Sequence, residues 1–185
     1  MKPIKKFYLI LLVLVATVGC DQFSKDLAKD NLKYADPVSY LGNTLRLQYA
    51  ENSGAFLSFG AGLSEPIRTS LFTYVSGGLL IGLFFYILKT HTFSQKQVVA
   101  LSLILGGGCS NLLDRVLNDG RVVDFMNIGI ANLRTGIFNL ADAGIMLGMG
   151  LVILFSFMER SKKIPNNHSQ APDTIEIPNS KTEDS

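Results

Sequence analysis

Residues 71–88 pass eighteen positions without a charged side chain, and residues 137–158 do nearly the same, interrupted only by Asn139 and Asp142. In lipid every backbone amide must find its partner within its own segment, so a run of about 20 apolar residues crosses a bilayer as a helix. Residues 7–20 and 98–113 are shorter, but they reach that length if the first continues through Asp21 and Gln22 and the other through Asn111 to Leu117. Four transmembrane helices are therefore expected, over about 7–23, 67–88, 97–117 and 137–158, making this an all-α membrane protein. At 48% hydrophobic and 17% charged, the chain is too apolar for an ordinary soluble domain. Its net charge of +2 is small and predicts no nucleic-acid partner.

The first run has a second reading. Lys2, Lys5 and Lys6 before a short apolar stretch resemble a secretory signal, and Thr17-Val18-Gly19-Cys20 resembles a poor lipid-attachment motif. Three later hydrophobic runs, and Thr17 where a leucine-like residue is preferred, argue instead for a true span. Lys and Arg in the connections divide evenly between the two sides of a four-span chain, so their density decides the orientation. Lys2, Lys5, Lys6, Lys89, Lys96, Arg160, Lys162 and Lys163 cluster at span ends, whereas the other set is spread through acidic loops. Both termini are expected in the cytoplasm.

The outer segments carry patterns of their own. Residues 24–34 read as a short amphipathic outer helix, with Lys25, Lys29 and Lys33 on one face, either solvated or touching lipid headgroups. Leu45, Leu47 and Tyr49 alternate with polar residues, and 122–130 is strand-like after the Asp119-Gly120 turn, so a small β subdomain should cap the bundle. Asn52-Ser53-Gly54 supplies turn chemistry, and 52–59 would suit a lid. The pairs Gly78/Gly82 and Gly144/Gly148, with Gly106-Gly107-Gly108, suggest close helix contacts. Residues 164–185, rich in Pro, Asn, Ser and acids, cannot bury a core and are expected to be a disordered cytoplasmic tail following a transmembrane domain over 1–163.

Two cysteines, Cys20 and Cys109, give neither a disulfide framework nor zinc spacing, and His91 and His168 are isolated. No metal or cofactor is expected. The chemistry rests instead on carboxylates. Asp21, Asn52, Asn111, Asp114, Arg115, Asp124, Asn139 and Asp142 all fall near the same outer interface in the four-span arrangement. Asn111 and Arg115 are four apart, Asn139 and Asp142 three apart, so each pair shares a helix face. Taken singly, Asp142 reads as a buried hydrogen-bonded residue, Asp124 as a turn carboxylate and Arg115 as a partner of Asp114. Their convergence from four segments favours a site. Two close carboxylates cannot easily both ionise: one takes a proton from water while the other, protonated, polarises a carbonyl. Asn111 and Asn139 would orient them and Arg115 would hold a substrate carbonyl or headgroup. Peptide hydrolysis at the bilayer surface is the chemistry this favours.

Three strings carry a resemblance: Asn111-Leu112-Leu113-Asp114-Arg115, Gly120-Arg121-Val122-Val123-Asp124-Phe125 and Phe138-Asn139-Leu140-Ala141-Asp142. Together with Asp21-Gln22-Phe23-Ser24-Lys25 and Glu51-Asn52-Ser53-Gly54-Ala55-Phe56, they resemble, in order, the signatures of the lipoprotein signal peptidase (signal peptidase II) family. The resemblance implies an aspartic endopeptidase of the bacterial inner membrane, with its site near the periplasmic face. Such an enzyme removes signal peptides from diacylglyceryl-modified prolipoproteins, cutting before the lipidated cysteine. It implies Asp124 and Asp142 as the catalytic pair and Asp21, Lys25, Asn52, Gly54, Asn111, Arg115 and Asn139 in support. Prolipoprotein substrates, membrane lipids and a globomycin-type inhibitor are the implied partners. Ser110 stands where the family usually has Gly, and no Pro shortly precedes Phe138-Asn139; both departures touch packing rather than catalytic groups. The alternative from another class is a small transporter using intramembrane Asp residues, which would more often place them near the midplane.

Overall fold

A computed structural model describes residues 1–54 and 62–163, with side chains to residue 159. Most of the expected lid at 52–59, with Ala55 and Phe56 of the matching string, and the tail at 164–185 lie outside the described residues. Four helices among them are long and apolar enough to cross a membrane. They are α1 (Pro3–Leu32), a continuous helix over Glu65–Lys89, α4 (Gln95–Leu117) and α5 (Leu140–Lys163). The second is built from α2 (Glu65–Thr69), a π-helical segment (Ser70–Val75) and α3 (Ser76–Lys89).

Helix α1 opens with Pro3 in its first turn, where a missing N–H costs nothing. Nothing then breaks it for 30 residues. At 1.5 Å per residue that is about 45 Å, well over the ~30 Å of hydrocarbon. The amphipathic helix expected at 24–34 is thus the outer end of α1, running to Leu32 without a break after the first span. Helix α4 starts at a capping box: the Ser94 hydroxyl accepts from the Gln97 amide, and the Gln97 side chain accepts from the Ser94 amide at 2.8 Å.

Between the helices lies an antiparallel sheet in the order β1 (Val38–Tyr40), β2 (Leu45–Asn52), β3 (Val122–Ile130), β4 (Leu133–Arg134). Leu47 faces Met126, Ala50 faces Asp124 and Asn52 faces Val122, with a register shift between Leu47 and Ala50. The strand patterns at 45–49 and 122–130 are realised; β1 and β4, at three and two residues, are too short to show any period. Phe138 exchanges two hydrogen bonds of 2.8 Å with Met126, clamping the start of α5 to β3.

Helix α4 packs against α1, α3 and α5, and its glycine triplet explains how. A Cβ on Gly106 would lie 2.8 Å from the Thr17 side chain of α1 and one on Gly108 2.5 Å from Leu80 of α3, while one on Gly107 would collide with the Ala141 carbonyl of α5. Gly148 likewise lets α5 approach the Ala100 carbonyl, where a Cβ would sit at 2.6 Å. Gly78 and Gly82 differ from expectation: both face open space, so they make no close helix contact among the described residues. The bundle has two unlike cores. Ile10, Ile87, Val98 and Leu105 form an apolar one toward the chain termini. At the other end the buried groups include Asp21, Lys25, Ser110, Asp114, Asp124 and Asn139, packed among Val122, Val123 and Ala141.

Candidate active site

The local sequence Asn139-Leu140-Ala141-Asp142 forms a reciprocal cap at the start of α5. The Asn139 side-chain oxygen accepts from the Asp142 amide at 2.9 Å, and Asp142 Oδ2 accepts from the Asn139 amide at 3.3 Å. An acidic residue in the first turn also meets the positive end of the helix dipole. Asp142 is therefore held in place by the same bonds that begin its helix. Asp124 arrives from β3, and Asn52 reaches it diagonally across the β2–β3 pair, its amide donating to Asp124 Oδ2 at 2.9 Å.

Asn139 joins the two carboxylates. Besides capping Asp142, its Nδ2 donates to Asp124 Oδ1 at 2.7 Å. Asn111 makes a second bridge: its Nδ2 donates to Asp142 Oδ1 at 2.8 Å, and its Oδ1 accepts from Asn139 Nδ2 at 3.1 Å. Both carboxylates are buried. Burial pushes the Asp124 carboxyl up to about 7; the hydrogen bond from Asn52 opposes this, the neighbouring Asp142 adds to it, and the bond from Asn139 opposes it again.

Lys25 is not on a solvated or headgroup-facing surface. Its side chain is 1% exposed, and the ammonium lies 2.6 Å from Asp21 Oδ2 and 3.0 Å from Asp114 Oδ2. It also donates to Asn111 Oδ1 at 3.1 Å, which turns the amide so that Nδ2 faces Asp142. The helical turn predicts a shared face for Lys25 and Lys29, but α1 packs its Lys25 side against α4 and leaves Lys29 half-buried, 4.0 Å from Asp26. Asp21 in turn accepts from the Ala141 amide at 2.8 Å, one residue before Asp142.

Arg115 does not pair with Asp114. It donates to the carbonyls of Asn111 and Gly54, at 3.1 and 2.9 Å, and lies over the Phe72 ring in the π-helical segment. Its Nε, although buried, has no partner among the described residues. Gly54 closes an Asx turn, its amide donating to the Asn52 side chain at 2.9 Å. All nine expected site residues thus fall in one connected cluster. Asp114, Ser110 and Gln22 belong with them although they were not in that set. Asp114 accepts from the Val123 amide at 2.9 Å and from Gln22 at 2.7 Å, and Ser110 donates to Asp21 at 2.7 Å. Asp114 already stands among the residues expected at this interface, without a role of its own. Gln22 gives only its place beside Asp21, and Ser110 only its place beside Asn111, where the family usually has Gly.

A cavity of about 300 Å³ opens beside Asp142. Phe72, Leu79, Leu80, Ile104 and Ile145 line most of it, while Asn111, Arg115 and Asp142 supply one polar end. No group of three or more metal-binding side chains occurs among the described residues.

The profile of the family described as signal peptidase (SPase) II matches residues 13–158. The lipoprotein signal peptidase of Treponema denticola is 33% identical over 80% of this chain and 91% of its own length. That of Halalkalibacterium halodurans is 30% identical over 84% and 94%. A solved chain described as a bacterial membrane enzyme superposes with a TM-score of 0.73 at 28% identity, over 85% of this chain and 93% of its own. These likenesses are to peptidases and a membrane enzyme, and they displace the transporter reading. The chain, a multi-pass membrane peptidase, belongs to the signal peptidase II family.

Proposed function

We propose that this peptidase is of the aspartic type and removes signal peptides from diacylglyceryl-modified prolipoproteins, cutting just before the lipidated cysteine. The observation that carries the reading is the pair of buried carboxylates joined through Asn139, one of them facing the apolar cavity. A substrate with an apolar segment beside its scissile bond fits that cavity, and a diacylglyceryl group adds apolar length that can stay in lipid. Asp124 is the proton-bearing member and Asp142 the base. A water between them loses a proton to Asp142 as its oxygen attacks the peptide carbon. Asp124 donates to the carbonyl oxygen; as the tetrahedral carbon collapses, the amine leaves with the proton Asp142 took up, and Asp124 recovers its own from the hydroxyl that becomes the new carbonyl. Arg115 offers its unpartnered Nε to a substrate carbonyl or headgroup.

Residues 1–163 act as the peptidase domain, with both termini in the cytoplasm and the carboxylates near the periplasmic face. A globomycin-type inhibitor would occupy the same cavity. The test is cleavage of a lipidated precursor by wild type, Asp124→Asn and Asp142→Asn, with an unlipidated precursor alongside. Each variant should lose about 10³-fold or more in rate, given the usual worth of a positioned acid or base, and the unlipidated precursor should stay uncut. Normal turnover by either folded variant removes that Asp from the mechanism; cleavage of both precursors at equal rates removes the lipid requirement.

A further inference from the structure

At the end of the bundle away from the carboxylates, α1, α4 and α5 enclose a groove of about 290 Å³. Leu9, Val99, Leu151 and Phe155 wall it, each half-buried, and Gln95 and Lys96 stand at its rim. A hollow of about 440 Å³ lined by Met1, Lys2 and Lys5 shares Gln95 with it. Lys5 and Leu9 are four apart on α1, and so are Gln95 and Val99 on α4, so the polar member lies toward the bundle's end and the apolar one deeper. The two hollows therefore form one continuous surface, basic at the end and apolar toward the middle of the membrane.

The charge at this end is unbalanced. Lys2, Lys5, Lys6, Lys89 and Lys96 face a single described acid, Glu159. Lys6 is buried and donates to the Thr90 carbonyl at 2.6 Å, closing the end of α3. Lys2, Lys5 and Lys96 have no ion pair among the described residues. The positive ends of α1 and α4 lie beside the negative ends of α3 and α5, so the lysines, not the helix dipoles, set the potential here.

We propose that this surface is a binding site for one anionic phospholipid, with its phosphate on Lys2, Lys5 and Lys96 and an acyl chain along Leu9, Val99, Leu151 and Phe155. A phosphodiester without a compensating ammonium matches lysines that lack a counter-ion. The chain-wide groove below them distinguishes a site from a merely basic rim, and basic pockets between spans are a recurrent lipid-binding arrangement.

The test is native mass spectrometry of the full chain released from nanodiscs of equimolar phosphatidylglycerol and phosphatidylcholine. Wild type should retain one phosphatidylglycerol in preference to phosphatidylcholine. Lys5→Gln with Lys96→Gln should lower that retention about tenfold or more, since each lysine near a phosphate is worth about fivefold. Leu151→Trp, which fills the groove and keeps every charge, should lower it as well; Val99→Phe fills the same groove should the larger residue prevent folding. Precursor cleavage should stay at the wild-type rate throughout, because none of these residues belongs to the carboxylate cluster. Equal retention of both lipids by wild type overturns the proposal. So does wild-type retention in the groove-filled variant, which would mean diffuse attraction to surface lysines only.

Discussion

Asp124 holds its carboxyl between the amides of Asn52 and Asn139 with almost no water contact. With its proton leaving at about 7, and Asp124 as the acid, cleavage should fall as the pH rises through that value. Asn52→Ala removes a bond that favours the ionised form, so the alkaline limb should move to higher pH, whereas a purely structural loss would lower the rate at every pH alike. The stability sign follows from the same shift. The folded value lies above the ordinary carboxylate value of about 3.9, so the contribution is complete below that pH and is lost as the pH rises through about 7. Melting curves in detergent should show wild type losing stability relative to Asp124→Asn between these limits. Nearby, Lys25→Met leaves Asp21 and Asp114 without their cation and should cost about 3–5 kcal/mol. Ser110→Ala removes one hydroxyl from Asp21, which keeps Lys25 and the Ala141 amide, and should cost only about 1 kcal/mol. Lys25 was hidden, since its four-residue spacing with Lys29 and Lys33 reads as a solvated face and only the family strings place it here. Most of the other polar residues at this scale were legible as a set, because several segments pointed to one membrane depth. Their pairing was not: Asp114 and Arg115 adjoin in sequence, yet successive helical side chains diverge, and one turns to Lys25 while the other turns to Gly54.

The helices were legible from length and apolarity, since a bilayer leaves the backbone little choice. The short strands were not, because β1 and β4 arise from pairing with longer neighbours rather than from a period of their own. The glycines divide in a way that spacing does not reveal. Gly107 lies under the Ala141 carbonyl, directly beside Asp142, so Gly107→Ala should push α5 away and lower both melting temperature and turnover. Gly78→Ala and Gly82→Ala meet open space and should leave turnover unchanged. Their melting should rise slightly, by an amount consistent with the roughly 0.5–1 kcal/mol that separates Ala from Gly inside a helix. Parallel melting and cleavage assays on the three variants separate close approach from mere helical propensity.

Across the whole molecule, most of the buried polar groups collect at one end of the bundle, interleaved there with Val122, Val123, Phe125 and Ala141, while at the other end Lys6 is the buried charge. The carboxylates occupy the polar end, and the proposed lipid groove lies beside the apolar core at the other, sharing Leu9 with it. The helix α4 runs between them, touching every other span. Chain order adds a consequence for biosynthesis. The bond from the Ala141 amide to Asp21 closes over 120 positions, and Asp142 belongs to the last span to be made. Until α5 leaves the ribosome and enters the bilayer, the partial chain has Asp124 without Asp142, and Asp21 beside Lys25 without the Ala141 amide. With Asp124 and Asp142 acting together as proposed, a nascent copy should be inert toward precursors in the same membrane, and cleavage should begin only once the fourth span is in place.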